Sequence, residues 1–521
     1  MRSADTGVDV VAPAPSQPSL RRKALTSFAS FAIPVLIALI AMPILYRAMG
    51  ASAFGILSIA LITPTFAMSF DFGMSNAAVR RIADDLQIQS PTLGATLGGY
   101  SIALSTIGLV LGAVLALAAS TLASLLGFEK TVGQNGTTLL RFCALWATIT
   151  LILALPGIVL RAQQRFAIIT AVQTATTIAL WLTLLMLAIY DRPIVEMVAA
   201  AILLTALTGL ISAWLARSQL PAGLRFKADF RAVRADARFS FGLWLLQLSN
   251  VLAFQLDRVI VSALASPAAA GTYALCVGLA NKTLFGIASL TSFAFPAVAS
   301  LRAEGRNADV ASLLQVLQRV AIISMAAILV PALFLSAPFL SLWLRTALQP
   351  GTIELLQLLW VGYAIAAIGA PATHVITGTG TSRLAAVFAW VTALTLLGTM
   401  ALLVPSYGLI GAGVANMAAM STALIFLLLV RRQLRVIETP GRARFWMGLL
   451  VGMTAQALLL VSAVPYVTNW GAFVLAGTAS LAMFIAIRWI TRTVTAEERR
   501  LIHSIASRLR MQHMRRGPHQ R

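Results

Sequence analysis

Apolar stretches alternate with short polar turns along almost the whole chain. They run 25–48, 53–77, 96–126, 138–160, 166–189, 194–216, 239–264, 270–299, 316–343, 353–377, 383–404, 408–430, 445–464 and 471–490. A helix needs roughly 20 mostly apolar residues to cross the hydrocarbon of a bilayer. The pattern therefore predicts an all-α, polytopic membrane protein with about fourteen transmembrane helices. Most connections are short. The longest, 217–238, is basic and amphipathic and reads as a linker on the membrane surface or a solvated connector.

Composition supports this class. The 521 residues are 59% hydrophobic and 11% charged, against roughly 25% charged in soluble globular proteins. Mean hydropathy is +0.87. The net charge of +22 does not point to nucleic acid, because the basic residues lie in the loops between apolar runs. With the N-terminus inside, 32 of the 39 Lys and Arg residues fall on the inner side, and Arg488 is counted with the C-terminal tail. Arg47, Lys130, Arg141, Arg192 and Arg345 fall outside, and Arg258 and Lys282 fall within spans. This is the positive-inside bias of an even number of spans, with both termini cytoplasmic. Residues 1–20, rich in Ala, Pro and Ser, read as a disordered tail. The first apolar run is too long for a signal peptide and has no small-residue cleavage site, so it is expected to remain as the first helix. Cys143 and Cys276 sit in apolar helices without metal-ligand spacing.

The chain also repeats itself. Phe54-Gly55 opens the second helix and Ala270-Gly271 the eighth, at an offset of 216. Pro156 matches Pro371, and Gln219-Leu220 matches Gln433-Leu434, at nearly the same offset. The expected domains are a tail (1–23), a six-helix bundle (24–220), a linker (221–238) and a second six-helix bundle (239–434). Helices 13 and 14 (435–492) and a basic tail (493–521) follow. Two bundles of like orientation suit a transporter with its substrate path between them.

Residues 46–83 contain Gly50, Phe54-Gly55, Asp71-Phe72-Gly73 and Arg80-Arg81. In the second half stand Asp257-Arg258, Gly271-x-Tyr273, Pro296 and the stretch PSYGLIGAGVANMAAM at 405–420. In order and spacing, over most of 24–434, these resemble the polysaccharide flippases of the multidrug, oligosaccharidyl-lipid and polysaccharide exporter superfamily. The resemblance implies a transporter, not an enzyme. Its substrate would be a polyprenyl-pyrophosphate-linked oligosaccharide, moved across the inner membrane by alternating access for a surface or exported polysaccharide such as lipopolysaccharide. Membrane lipids, and a polysaccharide polymerase with its export machinery, would be partners. No cofactor is implied beyond a coupling proton or sodium ion. A drug/cation antiporter of the same superfamily would need an acidic cavity and twelve helices. A membrane glycosyl polymerase or ligase would need large outer loops, and HExxH, GxSxG, P-loop and CxxC motifs are missing from the sequence.

Charges inside spans are costly, by at least ~2.5–3.5 kcal/mol, and are candidate functional groups. Lys282 lies twelve residues past Ala270, roughly 18 Å along the helix and near the midplane. Asp257 and Arg258 are roughly 10 Å deep in helix 7 by the same rise, and Arg47 is at the outer end of helix 1. Lys282, Arg258 and Arg47 together would line a cleft with cations suited to pyrophosphate. Arg47 has the alternative of snorkelling to the interface, and Arg258 that of a structural ion pair. On a continuous helix Asp257 cannot face Arg258. It would then contact a charge on another helix or bind a proton or cation. Asp71 is either a gate or a structural cap. His374 is either a proton relay or a helix contact. Gln247, Asn250, Gln255, Asn281 and Thr283 supply neutral groups for sugar hydroxyls or for helix–helix contacts.

Overall fold

Gly50 turns the first helical run back on itself. Its backbone (φ 79, ψ 166) leaves the helical range inside α1 (Leu20–Ala60), and the Tyr46 and Phe54 rings then meet across the bend, 5.6 Å apart. A computed structural model describes residues 20–491 except 134, 219, 222–223, 225, 381 and 437–441. The expected terminal tails therefore lie outside the described residues, apart from 20–23, which open α1.

The first half continues through α2 (Thr63–Met68), α3 (Met74–Gln87), α4 (Leu93–Leu117), α5 (Ala119–Leu125) and α6 (Phe128–Val132). It closes with α7 (Asn135–Ile152), α8 (Ala154–Ala162), α9 (Phe166–Ile189) and α10 (Ile194–Arg217). The second half begins with α11 (Arg231–Phe254), α12 (Asp257–Leu264), α13 (Pro267–Thr291) and α14 (Ala294–Ala303). It continues through α15 (Asn307–Phe334), α16 (Ser336–Leu344), α17 (Thr352–Gly378) and α18 (Ser382–Gln433). The last pair is α19 (Arg442–Ala463) and α20 (Trp470–Ile490).

The chain is a multi-pass membrane protein. Among the described residues, eleven helical stretches are long and apolar enough to cross a membrane, against about fourteen expected. Gly50 and Gly408 each bend one of the eleven. At Gly408, α18 folds into a hairpin, and the hydroxyls of Thr392 and Thr422 meet across it at 2.6 Å. Leu36, Leu109, Leu203, Leu402 and Leu450 are exposed, and in lipid such side chains carry no hydrophobic penalty.

Small residues let the halves touch. A Cβ on Gly55 would lie 1.9 Å from the Pro267 carbonyl oxygen, and one on Gly271 would lie 2.1 Å from that of Ala51. Only glycine permits this approach. The two repeat anchors at offset 216 therefore meet each other. Beside them Tyr46 Oη and Thr272 Oγ1 are hydrogen-bonded at 3.1 Å.

A second set of contacts holds α11 to the first half. Arg81 donates from Nε and Nη2 to the two oxygens of Asp236, both at 3.1 Å, and Tyr100 Oη donates to Asp236 at 2.9 Å. These bonds raise the Arg81 pKa from its usual value. Trp244 Nε1 donates to Ser69 O at 2.5 Å and Gln247 Nε2 to Met68 O at 3.1 Å. The stretch expected to be a surface linker up to residue 238 is thus helical from Arg231.

Arg488, counted with the tail from sequence, belongs to α20. It is 5% exposed and lies over the Phe445 and Phe484 rings, 5.9 Å from each centroid. Aromatic faces attract a cation and help offset its burial.

Candidate functional site

The break between α11 and α12 shapes the site. Gln255 (φ −131, ψ −35) leaves the helical range after α11, and α12 starts at Asp257. The sequence expectation of one continuous helix, on which Asp257 and Arg258 diverge, is therefore corrected. At the start of a new helix the Asp257 Oδ1 accepts the backbone N–H of Arg258 at 2.8 Å. Arg258 Nε stands 3.8 Å from the same oxygen. Tyr273 Oη donates to the other carboxylate oxygen at 3.1 Å. Asn416 Nδ2 donates in turn to Tyr273 Oη at 3.2 Å. Asp257 is fully buried, and these partners offset much of the cost of burying its charge.

Lys282 lies on α13, which packs against α12, the helix that carries Arg258. It is half-buried and makes no hydrogen bond or ion pair with the described residues. Arg258 Nε is buried and has no hydrogen-bond partner among them, although it is close to the carboxylate. Arg258 therefore faces a carboxylate that already accepts two hydrogen bonds, and Lys282 has no carboxylate partner among the described residues. The cluster keeps an excess positive charge and unused donors, the requirement for holding an anion. The neighbouring Asn281 Oδ1 is also buried without a partner, while Thr283 Oγ1 donates to its own helix at Ala280 O, 2.8 Å away.

The other candidates are placed elsewhere. Arg47 is exposed, and its Nε donates to Pro43 O on its own helix at 3.2 Å. The antiparallel pairing of the arm of α1 before Gly50 with α13 sets Tyr46 against Thr272 and Met42 against Gly278. Continued, it sets Lys282 level with residues 38–39, roughly 13 Å along α1 from Arg47. The structure brings Arg258 and Asp257 together, carries Lys282 on the adjoining α13, and leaves Arg47 apart. Asp71 is fully buried. Its oxygens accept the N–H groups of Gly73 at 2.7 Å and Ser75 at 3.1 Å, holding the turn into α3. His374 Nε2 is 3.1 Å from Ala288 O.

A cavity of about 480 Å³ opens between the halves, with Thr65 and Asn76 on one side and Gln247, Asn250, Gln255 and Phe285 on the other. A second cavity, of about 370 Å³, lies within the second half. It shares Asn250, Phe254 and Phe285 with the first, and His374 lines it. Sequence reading missed Phe254, Phe285, Thr65 and Asn76, since nothing marks one Phe among 24 as facing a cavity. It also missed Asn416, although a lone amide in an apolar run was a usable signal.

A family model described as a polysaccharide biosynthesis protein matches residues 20–302, more than half of the chain. A Shigella flexneri protein named for O-antigen transport is 22% identical over 431 residues, covering 81% of this chain and 100% of its own. Among solved structures, the lipid II flippase MurJ in an inward closed conformation matches with a TM-score of 0.67 at 15% identity, over 89% of this chain and 98% of that one. An inward-facing multidrug resistance MATE family transporter of the MOP superfamily matches with a TM-score of 0.64 at 13% identity, over 78% and 98%. These relatives are named as transporters and a flippase, not as enzymes. The chain belongs to the polysaccharide biosynthesis protein family and is a multi-pass membrane protein with the fold of solved MOP-superfamily transporters.

Proposed function

We propose that the protein translocates a polyprenyl-pyrophosphate-linked oligosaccharide from the cytoplasmic to the outer face of the bacterial inner membrane. The observation that carries this reading is the pair of cations next in the chain to a cavity between the halves: Arg258 follows the cavity-lining Gln255 by three residues, and Lys282 precedes the cavity-lining Phe285 by three. A pyrophosphate supplies the missing negative charge. Arg forks onto phosphate oxygens, and Lys adds a mobile point charge. The Lys and Arg asymmetry of the loops orients both termini to the cytoplasm. In that orientation the Gly55–Gly271 contact closes the outer side, and the cavity takes the head group from within.

The halves then rock, the outer contact opens, and the head group leaves past Arg47 while the polyprenyl chain stays in lipid. Asp257, in contact with Arg258, is the carboxylate through which a proton or sodium ion would couple the cycle. Asp71 is the residue through which the turn into α3 would gate it, and His374 would report on the adjoining cavity. The fold is shared with drug antiporters, but two cations against one committed carboxylate repel a cationic drug.

The test is made in cells at matched expression. Lys282→Ala and Arg258→Ala each remove charge-assisted contacts of about 1.5–3 kcal/mol, so outward delivery of lipid-linked oligosaccharide falls about tenfold or more. Normal delivery by both variants would overturn the assignment.

A further inference from the structure

The 480 Å³ cavity has a composition of its own. We infer that it is a subsite for the first sugar after the pyrophosphate, and that it selects an uncharged sugar. This rests on the head-group reading above and adds which glycan chemistry is accepted.

Position is the first argument. Gln255 precedes Arg258 by three residues, and Phe285 follows Lys282 by three. α12 and α13 are successive helices running in opposite directions, so a step back from Arg258 and a step on from Lys282 lead toward the same end of the cleft. A phosphate held between Arg258 and Lys282 therefore presents its attached sugar to this cavity. The volume falls within the range of small-molecule sites, roughly 300–1,000 Å³.

Chemistry is the second. Thr65, Asn76, Gln247, Asn250 and Gln255 give the wall hydroxyl and amide groups, and no ionisable side chain among the described residues lines it. Amides donate and accept, as sugar hydroxyls and N-acetyl groups require. Gln247 Nε2 is already committed to Met68 O, so the acceptor capacity of its amide is carried by the carbonyl oxygen. Phe254 and Phe285, with ring centroids 6.3 Å apart, supply an apolar wall for the C–H face of a pyranose. A uronic acid here would lose hydration with no counter-charge in the wall, and a buried unpaired charge is strongly disfavoured. The two walls belong to different halves, so a sugar that fills the space touches both.

The test uses the full chain in lipid nanodiscs and four probes: farnesyl pyrophosphate, its N-acetylglucosaminyl and glucuronosyl conjugates, and octyl N-acetylglucosaminide. The N-acetylglucosaminyl conjugate is expected to bind about tenfold tighter than farnesyl pyrophosphate, as one or two added hydrogen bonds imply. The glucuronosyl conjugate is expected to gain nothing. Phe285→Ala on one half and Asn76→Ala on the other each reduce the tenfold ratio below twofold. Should one variant fail to fold, the other decides. Equal affinities of the N-acetylglucosaminyl conjugate and farnesyl pyrophosphate in the wild type would overturn the subsite, as would tighter binding of the glucuronosyl conjugate. Binding of octyl N-acetylglucosaminide without binding of farnesyl pyrophosphate would overturn the head-group reading and leave the subsite standing.

Discussion

Lys282 could be singled out from sequence because a lysine near the midplane of an apolar helix has few inexpensive explanations. Its grouping with Arg258 was also expected, but the contact of Arg258 with Asp257 was not. That depends on the break at Gln255, where no proline or glycine announces a kink. The Asn416–Tyr273–Asp257 chain was equally hidden, since it joins side chains 143 residues apart. It gives a stability prediction. Tyr273→Phe removes a donor from a fully buried carboxylate and should destabilise the protein by roughly 1–3 kcal/mol, read as a lower midpoint of thermal unfolding in detergent. An unchanged midpoint would show that Tyr273 does not support Asp257. Asp257→Asn keeps an acceptor for Tyr273 but discards the charge beside Arg258. If Asp257 couples transport, this variant moves substrate at a rate indifferent to imposed proton and sodium gradients. Retained gradient dependence would remove Asp257 from that role.

Hydropathy located the helices at the scale of elements. The expected run 166–189 coincides with α9, and 353–377 falls within α17. Interruptions were less legible. The expected second helix, 53–77, is divided among the end of α1, α2 and the start of α3, and 239–264 is divided between α11 and α12. A hydropathy window averages over such breaks, because the few polar residues within them, such as Asp71 and Gln255, are outnumbered by apolar neighbours. Two contacts between elements make predictions. At Gly55 a methyl group would overlap the Pro267 carbonyl, so Gly55→Ala should cost about 1–3 kcal/mol or more and part α1 from α13. A disulfide between Tyr46→Cys and Thr272→Cys should form readily in the wild-type background and poorly with Gly55→Ala. Equal cross-linking would mean that glycine is not needed there. Asp236→Ala deprives Arg81 and Tyr100 of their shared acceptor. Arg81 keeps about a third of its side chain exposed, so the loss should be roughly 1–2 kcal/mol rather than the 3–5 of a fully buried pair. Limited proteolysis around residue 230 should quicken accordingly.

For the whole molecule, the sequence repeat and the structure converge on one place. Gly55 and Gly271, corresponding positions in the two halves, are each other's contact. The charges are not duplicated in this way. By the same offset Arg258 corresponds to Met42, and Met42 packs against Gly278. The candidate cations Arg258 and Lys282 thus lie in the second half of the chain, while Gly55 of the first half meets Gly271 of the second. The most direct test is translocation by purified protein. Proteoliposomes would hold a fluorescent polyprenyl-pyrophosphate oligosaccharide, with its exposure at the far leaflet followed by an impermeant lectin or quencher. The wild type should move the lipid across within the assay, and the Lys282→Ala/Arg258→Ala double variant should fall to the rate of protein-free vesicles. Equal rates for the wild type and the double variant would contradict the account.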